Sequence, residues 1–174
     1  MKTTKQWLAE IKEDSNRLHH WLVRQYIGER TAAKRISLLA KQATGKEKKH
    51  LLTIASQEES HADWVEELLH NRHIPVPDDF SDAENRYWKN ILSQANNTDR
   101  LYAAGAHAEE MRLLRIRAIV DDKDFDSDIR EVFNKILPEE EYHAKTFRSL
   151  SSNESLDLME EYHEEGMKAL GLEA

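Results

Sequence analysis

Residues 129–150 read IREVFNKILPEEEYHAKTFRSL. Ile129, Phe133, Ile136, Glu140, His143, Phe147 and Leu150 recur there in alternating steps of four and three, the seam of a helix facing a bundle core. Two members of that seam, Glu140 and His143, are polar. Residues three apart share a helix face, so this Glu-x-x-His pair can aim a carboxylate oxygen and an imidazole nitrogen at one point. A second copy lies 82 residues upstream, where Glu58 and His61 of the segment QEESHA interrupt a stripe of Ile54, Val65 and Leu68.

Glu-x-x-His occurs five times, and context separates the copies. Glu67 with His70 falls on the face opposite Glu58, Glu47 with His50 belongs to the charged start of a helix, and Glu160 with His163 lies in a tail segment. These three read as surface chemistry. Two single acids complete the set. Glu29 is the only charge in the seam Leu18, Leu22, Tyr26, Glu29, Ala33, Ile36, Ala40. Glu110 occupies a less tidy seam with Ala103, Ala106 or His107, Leu113, Leu114 and Ala118, and Glu109 is its alternative. Glu29 precedes Glu58 by 29 residues and Glu110 precedes Glu140 by 30, as two copies of one helical hairpin would have it.

A charged group in such a stripe is costly to desolvate unless it is paired or binds metal. Four carboxylates at one level of a bundle cannot all stay ionised without cations. Glu29, Glu58, His61, Glu110, Glu140 and His143 are therefore the expected metal ligands. His107 and Tyr26 stand one turn before the single acids, as further ligand, hydrogen-bond partner or structural filler. Pro138 falls inside the last long helix, where a kink or bulge is expected.

The organisation is all-α. A helix capped by Thr3 or Thr4 is expected to bend near Asp14–Asn16 and run through Gln42, and a second runs from about Lys46 to Asn71 after a short turn. A loop with Pro75 and Pro77 follows, then a short helix over residues 81–94, a third long helix from Thr98 to Val120, a polar turn over 121–128, and the fourth. A tail helix over residues 155–170 closes the chain. The long connection lets the second and third helices run parallel. One domain over residues 1–174 is expected, its core bundle spanning about 14–150.

With 174 residues, 33% of them charged, and no cysteine, disulfides, thiolate metal sites and cysteine nucleophiles are excluded. The net charge of −8 without a basic stripe argues against nucleic acid. No apolar run long enough to span a bilayer occurs, no signal-peptide core opens the chain, and a cytoplasmic location is expected.

The chain resembles the ferritin-like di-iron carboxylate superfamily, and within it the rubrerythrin-type domains. The resemblance is carried by Gly28, Glu29, Ala32 and Arg35, by residues 57–62, and by PEEEYHA at 138–144, and it covers about residues 18–150. It implies a ferritin-like four-helix bundle of two hairpins joined by a long crossover, holding two iron or manganese ions that react with hydrogen peroxide or dioxygen. Glu58 and Glu140 would bridge the metals, Glu29 and Glu110 would be terminal or bridging, and His61 and His143 would give each metal one nitrogen. The chain lacks the cysteine-ligated rubredoxin domain of full rubrerythrins, so the electron donor is unknown.

Oxygen-rich coordination with one imidazole per metal suits iron(II) or manganese(II). The expected activity is an oxidoreductase reaction with peroxide or dioxygen, with iron storage or a non-catalytic interaction module as the alternative. A homodimer is the expected assembly, the tail and the crossover helix carrying Trp88 offering candidate surfaces.

Overall fold

The computed structural model describes residues 2–78 and 86–172. Among these, seven helices occur: α1 Thr4–Glu13, α2 Ser15–Gln42, α3 Gly45–Asn71, α4 Arg86–Gln94, α5 Thr98–Asp121, α6 Ser127–Leu150 and α7 Asn153–Ala169. Residues 79 and 80 of the expected loop and the first part of the expected crossover helix, residues 81–85, lie outside the described residues.

The first helical stretch is broken rather than bent. Thr3 caps α1 with a capping box, its hydroxyl accepting from the Gln6 amide while the Gln6 side chain accepts from the Thr3 amide. Asp14 then takes an extended conformation and caps α2 by accepting from the amides of Asn16 and Arg17 at 3.0 and 3.2 Å. The turn into α3 is only Ala43 and Thr44, and Gly45 begins the helix at φ +56°, a conformation that costs glycine little. Pro138 does not interrupt α6, which is α-helical throughout its length.

The bundle pairs α2 with α3 and α5 with α6, while α3 also meets α6. Two apolar clusters divide its core. One gathers Trp7, Trp21, Leu22, Val65, Ile116 and Phe133 with their neighbours; the other gathers Ile36, Leu51, Ile54, Tyr102, Ala106 and Phe147 with theirs. Along α3 and α5 the chain passes from the second cluster to the first, and along α2 and α6 from the first to the second. Thus α3 and α5 run parallel, as the crossover requires, and each long helix crosses the boundary between the clusters at its own glutamate. That boundary is where the polar groups gather.

The crossover helix α4 packs on α7, and α7 lies along α5. Both segments expected as assembly surfaces cover their own bundle. This double burial explains why α5 has a blurred hydrophobic pattern: Tyr102, Ala106, Leu113 and Ile116 lie on one buried side, while Ala104, His107 and Ala108 are buried as well. No described helix is long and apolar enough to cross a membrane.

Candidate metal centre

Glu29, Glu58, His61, Glu140 and His143 have no exposed surface, and Glu109 is nearly as buried. Their ligand atoms form two overlapping quartets, Glu29, Glu58, His61 and Glu140 in one, and Glu58, Glu109, Glu140 and His143 in the other. Within each quartet one ligand atom per residue lies within 4.8 Å of the others.

Glu58 and Glu140 belong to both halves, one oxygen to each. Glu58 Oε1 is 3.2 Å from His143 Nδ1, while its Oε2 is 3.9 Å from His61 Nδ1. Glu140 does the reverse, with Oε1 3.3 Å from His61 Nδ1 and Oε2 3.6 Å from His143 Nδ1. This is the disposition of two carboxylates that can serve both halves, and it follows from their place mid-seam on the neighbouring helices α3 and α6.

The imidazoles are aimed from behind. His61 Nε2 is 2.8 Å from Glu139 Oε2, and His143 Nε2 is 3.0 Å from Gln57 Oε1. Each acceptor precedes a cluster glutamate on the opposite helix. A ring whose Nε2–H donates outward presents its Nδ1 inward, the arrangement by which outer partners fix metal-binding histidines. Glu29 Oε2, both oxygens of Glu58 and Glu140, Glu109 Oε2 and the Nδ1 atoms of His61 and His143 are buried and make no hydrogen bond. So many orphaned acceptors at one point would be unfavourable in a plain structural network.

The third-helix acid is Glu109, which corrects the expectation of Glu110. Glu110 projects from the bundle with a side chain 43% exposed and receives two hydrogen bonds of 2.8 Å from Arg148. The misassignment came from reading Leu114 into the seam, whereas Leu114 is 48% exposed. The buried side Tyr102, Ala106, Leu113 and Ile116 runs through Glu109 instead. Equal hairpin spacing also pointed the wrong way, because the α5–α6 connection, residues 122–126, is longer than the α2–α3 connection, residues 43–44.

His107 is not among the cluster groups. Its Nε2 lies 2.9 Å from the carbonyl oxygen of Leu156 in α7, and its ring stacks on His163. His163, expected at the surface, is half-buried and hydrogen-bonded to the Tyr87 hydroxyl at 2.7 Å. Burial beside His107 pushes its pKa down to about 4. The pair Glu47 and His50 is likewise structural, bonded to the hydroxyls of Tyr102 and Tyr142 respectively. Glu67 and His70 are exposed, as expected. Tyr26 is a buried core residue against which the Arg30 guanidinium stacks.

Arg112, one turn beyond Glu109, enters the cluster itself, and nothing in the sequence reading marked it. Its Nη2 pairs with Glu29 and lies 2.9 Å from Glu140 Oε1; its Nη1 lies 3.8 Å from both Glu58 Oε2 and Glu109 Oε2. The signal available was its i+3 spacing from Glu109, legible only once Glu109 is placed inward.

These contacts sort the carboxyls into two kinds. Burial opposes charge on all four. At Glu29 and Glu140 the Arg112 cation outweighs it, with the imidazoles helping, and both stay below the usual carboxylate range. At Glu58 and Glu109 burial and the neighbouring carboxylates prevail, and both are raised well above it. His61 loses by burial but gains more from Glu140 and Glu29, and is pushed up to about 11. Without a metal, Arg112 thus holds Glu29 and Glu140 toward the ionised form, while burial drives Glu58 and Glu109 toward the protonated one.

A groove of about 850 Å³ leads to this cluster between α2 and α5. Gly28, Ala32, Leu39, Leu101 and Met111 line it, with Glu109 and Arg112 at its wall. A Cβ added at Gly28 would meet nothing within 4 Å.

The donor set fits divalent metal: hard oxygens, two imidazoles with oriented Nδ1 atoms, and unpartnered lone pairs converging between the helices. In a comparison with family models, the rubrerythrin family matches residues 20–151, which spans all the cluster residues. No curated protein and no solved structure gives a significant match.

Proposed function

The chain belongs to the rubrerythrin family, whose members bind a two-metal centre, and from that premise we propose that it is a metal-dependent redox protein acting on hydrogen peroxide or dioxygen. The observation that supports this best is the convergence of four buried carboxylates and two rear-anchored imidazoles, most of their inward atoms left without hydrogen bonds. Iron or manganese held there would supply reversible one-electron chemistry.

The chain's own contribution is arrangement. Gln57 and Glu139 hold the two imidazoles at fixed angles, so little reorganisation accompanies metal binding. Burial favours the protonated form of Glu58 and Glu109 and a bound cation favours the ionised one, which couples loading to pH. The groove along α2 and α5 admits small molecules to the polar level while the two apolar clusters keep water from it above and below. These 174 residues hold no thiolate site to relay electrons, and reduction of the centre is assigned to a separate electron donor.

The test is to load iron(II) without oxygen, remove excess metal, and add hydrogen peroxide while following the visible spectrum. Oxidation well above the rate of iron(II) in buffer, followed by return to the starting state with a reductant, is the expected result. His143→Ala should slow it. Bound iron that oxidises no faster than free iron would overturn the redox reading in favour of storage.

A further inference from the structure

Arg112 gives the two halves of the cluster different fates. Its Nη2 pairs with Glu29 and with the Glu140 oxygen that His61 Nδ1 also approaches, so the Glu29 half already contains a cation. The arginine's nearest Glu58 and Glu140 oxygens, Oε2 and Oε1, are those turned toward His61. Glu58 Oε1 and Glu140 Oε2 turn instead to His143. Resting on the reading of the cluster as a metal centre, we propose that it takes one divalent cation, in the half formed by Glu58, Glu109, Glu140 and His143, and that the Arg112 guanidinium is the permanent cation of the Glu29 half.

Chemistry separates this from a proton that metal simply displaces. A guanidinium does not deprotonate in a protein and has no lone pair to offer a metal, so it neither becomes a ligand nor leaves as a neutral group. Its side chain is 17% exposed and stands with that of Glu109 at the wall of the groove. Charge counting agrees. Four carboxylates match two divalent cations, but Arg112 raises that total to five positive charges against four negative. One divalent cation with Arg112 makes three against four, and the His61 imidazole beside Glu29 and Glu140 is there to take the fourth. Burying an excess of like charge is the costlier alternative.

The inference also accounts for Glu29, which meets Arg112 and lies 3.7 Å from His61 but belongs only to the arginine's half. Its role becomes holding the guanidinium in place, which makes it a positioning residue.

The experiment is a manganese(II) titration of the metal-free protein under nitrogen, read by equilibrium dialysis and electron paramagnetic resonance. One ion per chain with the six-line signal of an isolated ion is expected. His143→Ala and Glu109→Gln should reduce occupancy at least tenfold at fixed free manganese, while Glu29→Gln should leave one ion bound. Arg112→Gln should bind two ions, with the six-line intensity per ion depleted by coupling between neighbours. Two ions in the natural protein would overturn the proposal while preserving the metal-centre reading; no bound ion would overturn that reading itself. If Glu29→Gln loses the ion as His143→Ala does, or if Arg112→Gln folds and still binds one, the arginine is not the occupant of the second place. The Glu29 and His143 variants decide the matter even if Arg112→Gln fails to fold.

Discussion

Replacing Arg112 with methionine in metal-free protein should be strongly destabilising, and the loss should depend on pH in a direction the structure dictates. Methionine keeps most of the stem but removes the charge that holds Glu29 and Glu140 ionised. Removing one partner of a buried ion pair costs about 3–5 kcal/mol. The cost has a ceiling, because a stranded carboxylate can protonate, and for an ordinary carboxyl at pH 7 that takes roughly 4 kcal/mol. A loss of about 3–4 kcal/mol corresponds to roughly 6–16 °C in melting temperature for a chain of this size. In the variant, Glu29 or Glu140 binds a proton in the folded state that the unfolded chain does not hold at neutral pH. Folded-state pKa is then above the unfolded value, so stability falls as pH rises, by about 1.4 kcal/mol per unit for each such proton. The deficit against the natural protein should be largest near pH 8 and shrink toward pH 5. Urea unfolding of chelator-treated protein at four pH values measures it. Equal stability of the two proteins, or a deficit flat with pH, would refute the assignment of Arg112 as the counter-charge.

Gln57→Leu should lower metal affinity about 10–100-fold without unfolding the bundle, since the imidazole of His143 loses its outer anchor; competition with a calibrated chelator checks this. Gly28→Trp should slow peroxide-dependent oxidation while metal content is unchanged, because Gly28 lines the groove and a Cβ there meets no neighbour; stopped-flow rates with matched metal analysis decide it. Asp128, held low by its hydrogen bond to Arg72, should contribute about 0.5–1 kcal/mol at neutral pH and lose it as pH falls from its ordinary value of 3.8 through the lower folded one; the melting-temperature gap to Asp128→Asn should close across that range.

The helices and their order were legible because α2, α3 and α6 each bury one clear stripe, in which a lone acid or a Glu-x-x-His pair stands out against leucine, isoleucine and phenylalanine. The same clarity made five of the six expected cluster residues readable. α5 was harder for a physical reason: alanines dominate it, and α7 buries a second side, so two phases compete and hydrophobicity cannot choose between Glu109 and Glu110. Arg112 escaped for a related reason. An arginine reads as surface charge unless its phase is known, and its phase depends on the same choice. His163 escaped because its burial comes from Tyr87 and His107, distant in sequence and brought together only by the packing of α4 and α7 on α5.

The near-symmetry of the hairpins makes the departures from it informative. His61 and His143 are anchored by equivalent positions on opposite helices, Glu139 and Gln57, and Glu58 and Glu140 each give one oxygen to each half. The α3–α6 pair is therefore close to self-similar, and it alone would build two like halves. What breaks the likeness comes from the other pair. α2 offers Glu29 and nothing one turn later that reaches the centre, whereas α5 offers Glu109 and then Arg112. The guanidinium crosses from α5 to the acid of α2, so the two helices whose apolar faces are separated by the groove are joined at the polar level by an ion pair. A bundle that leaves α2 and α5 apart needs a link there, and the residue that makes it is the one that sets the charge available to a metal.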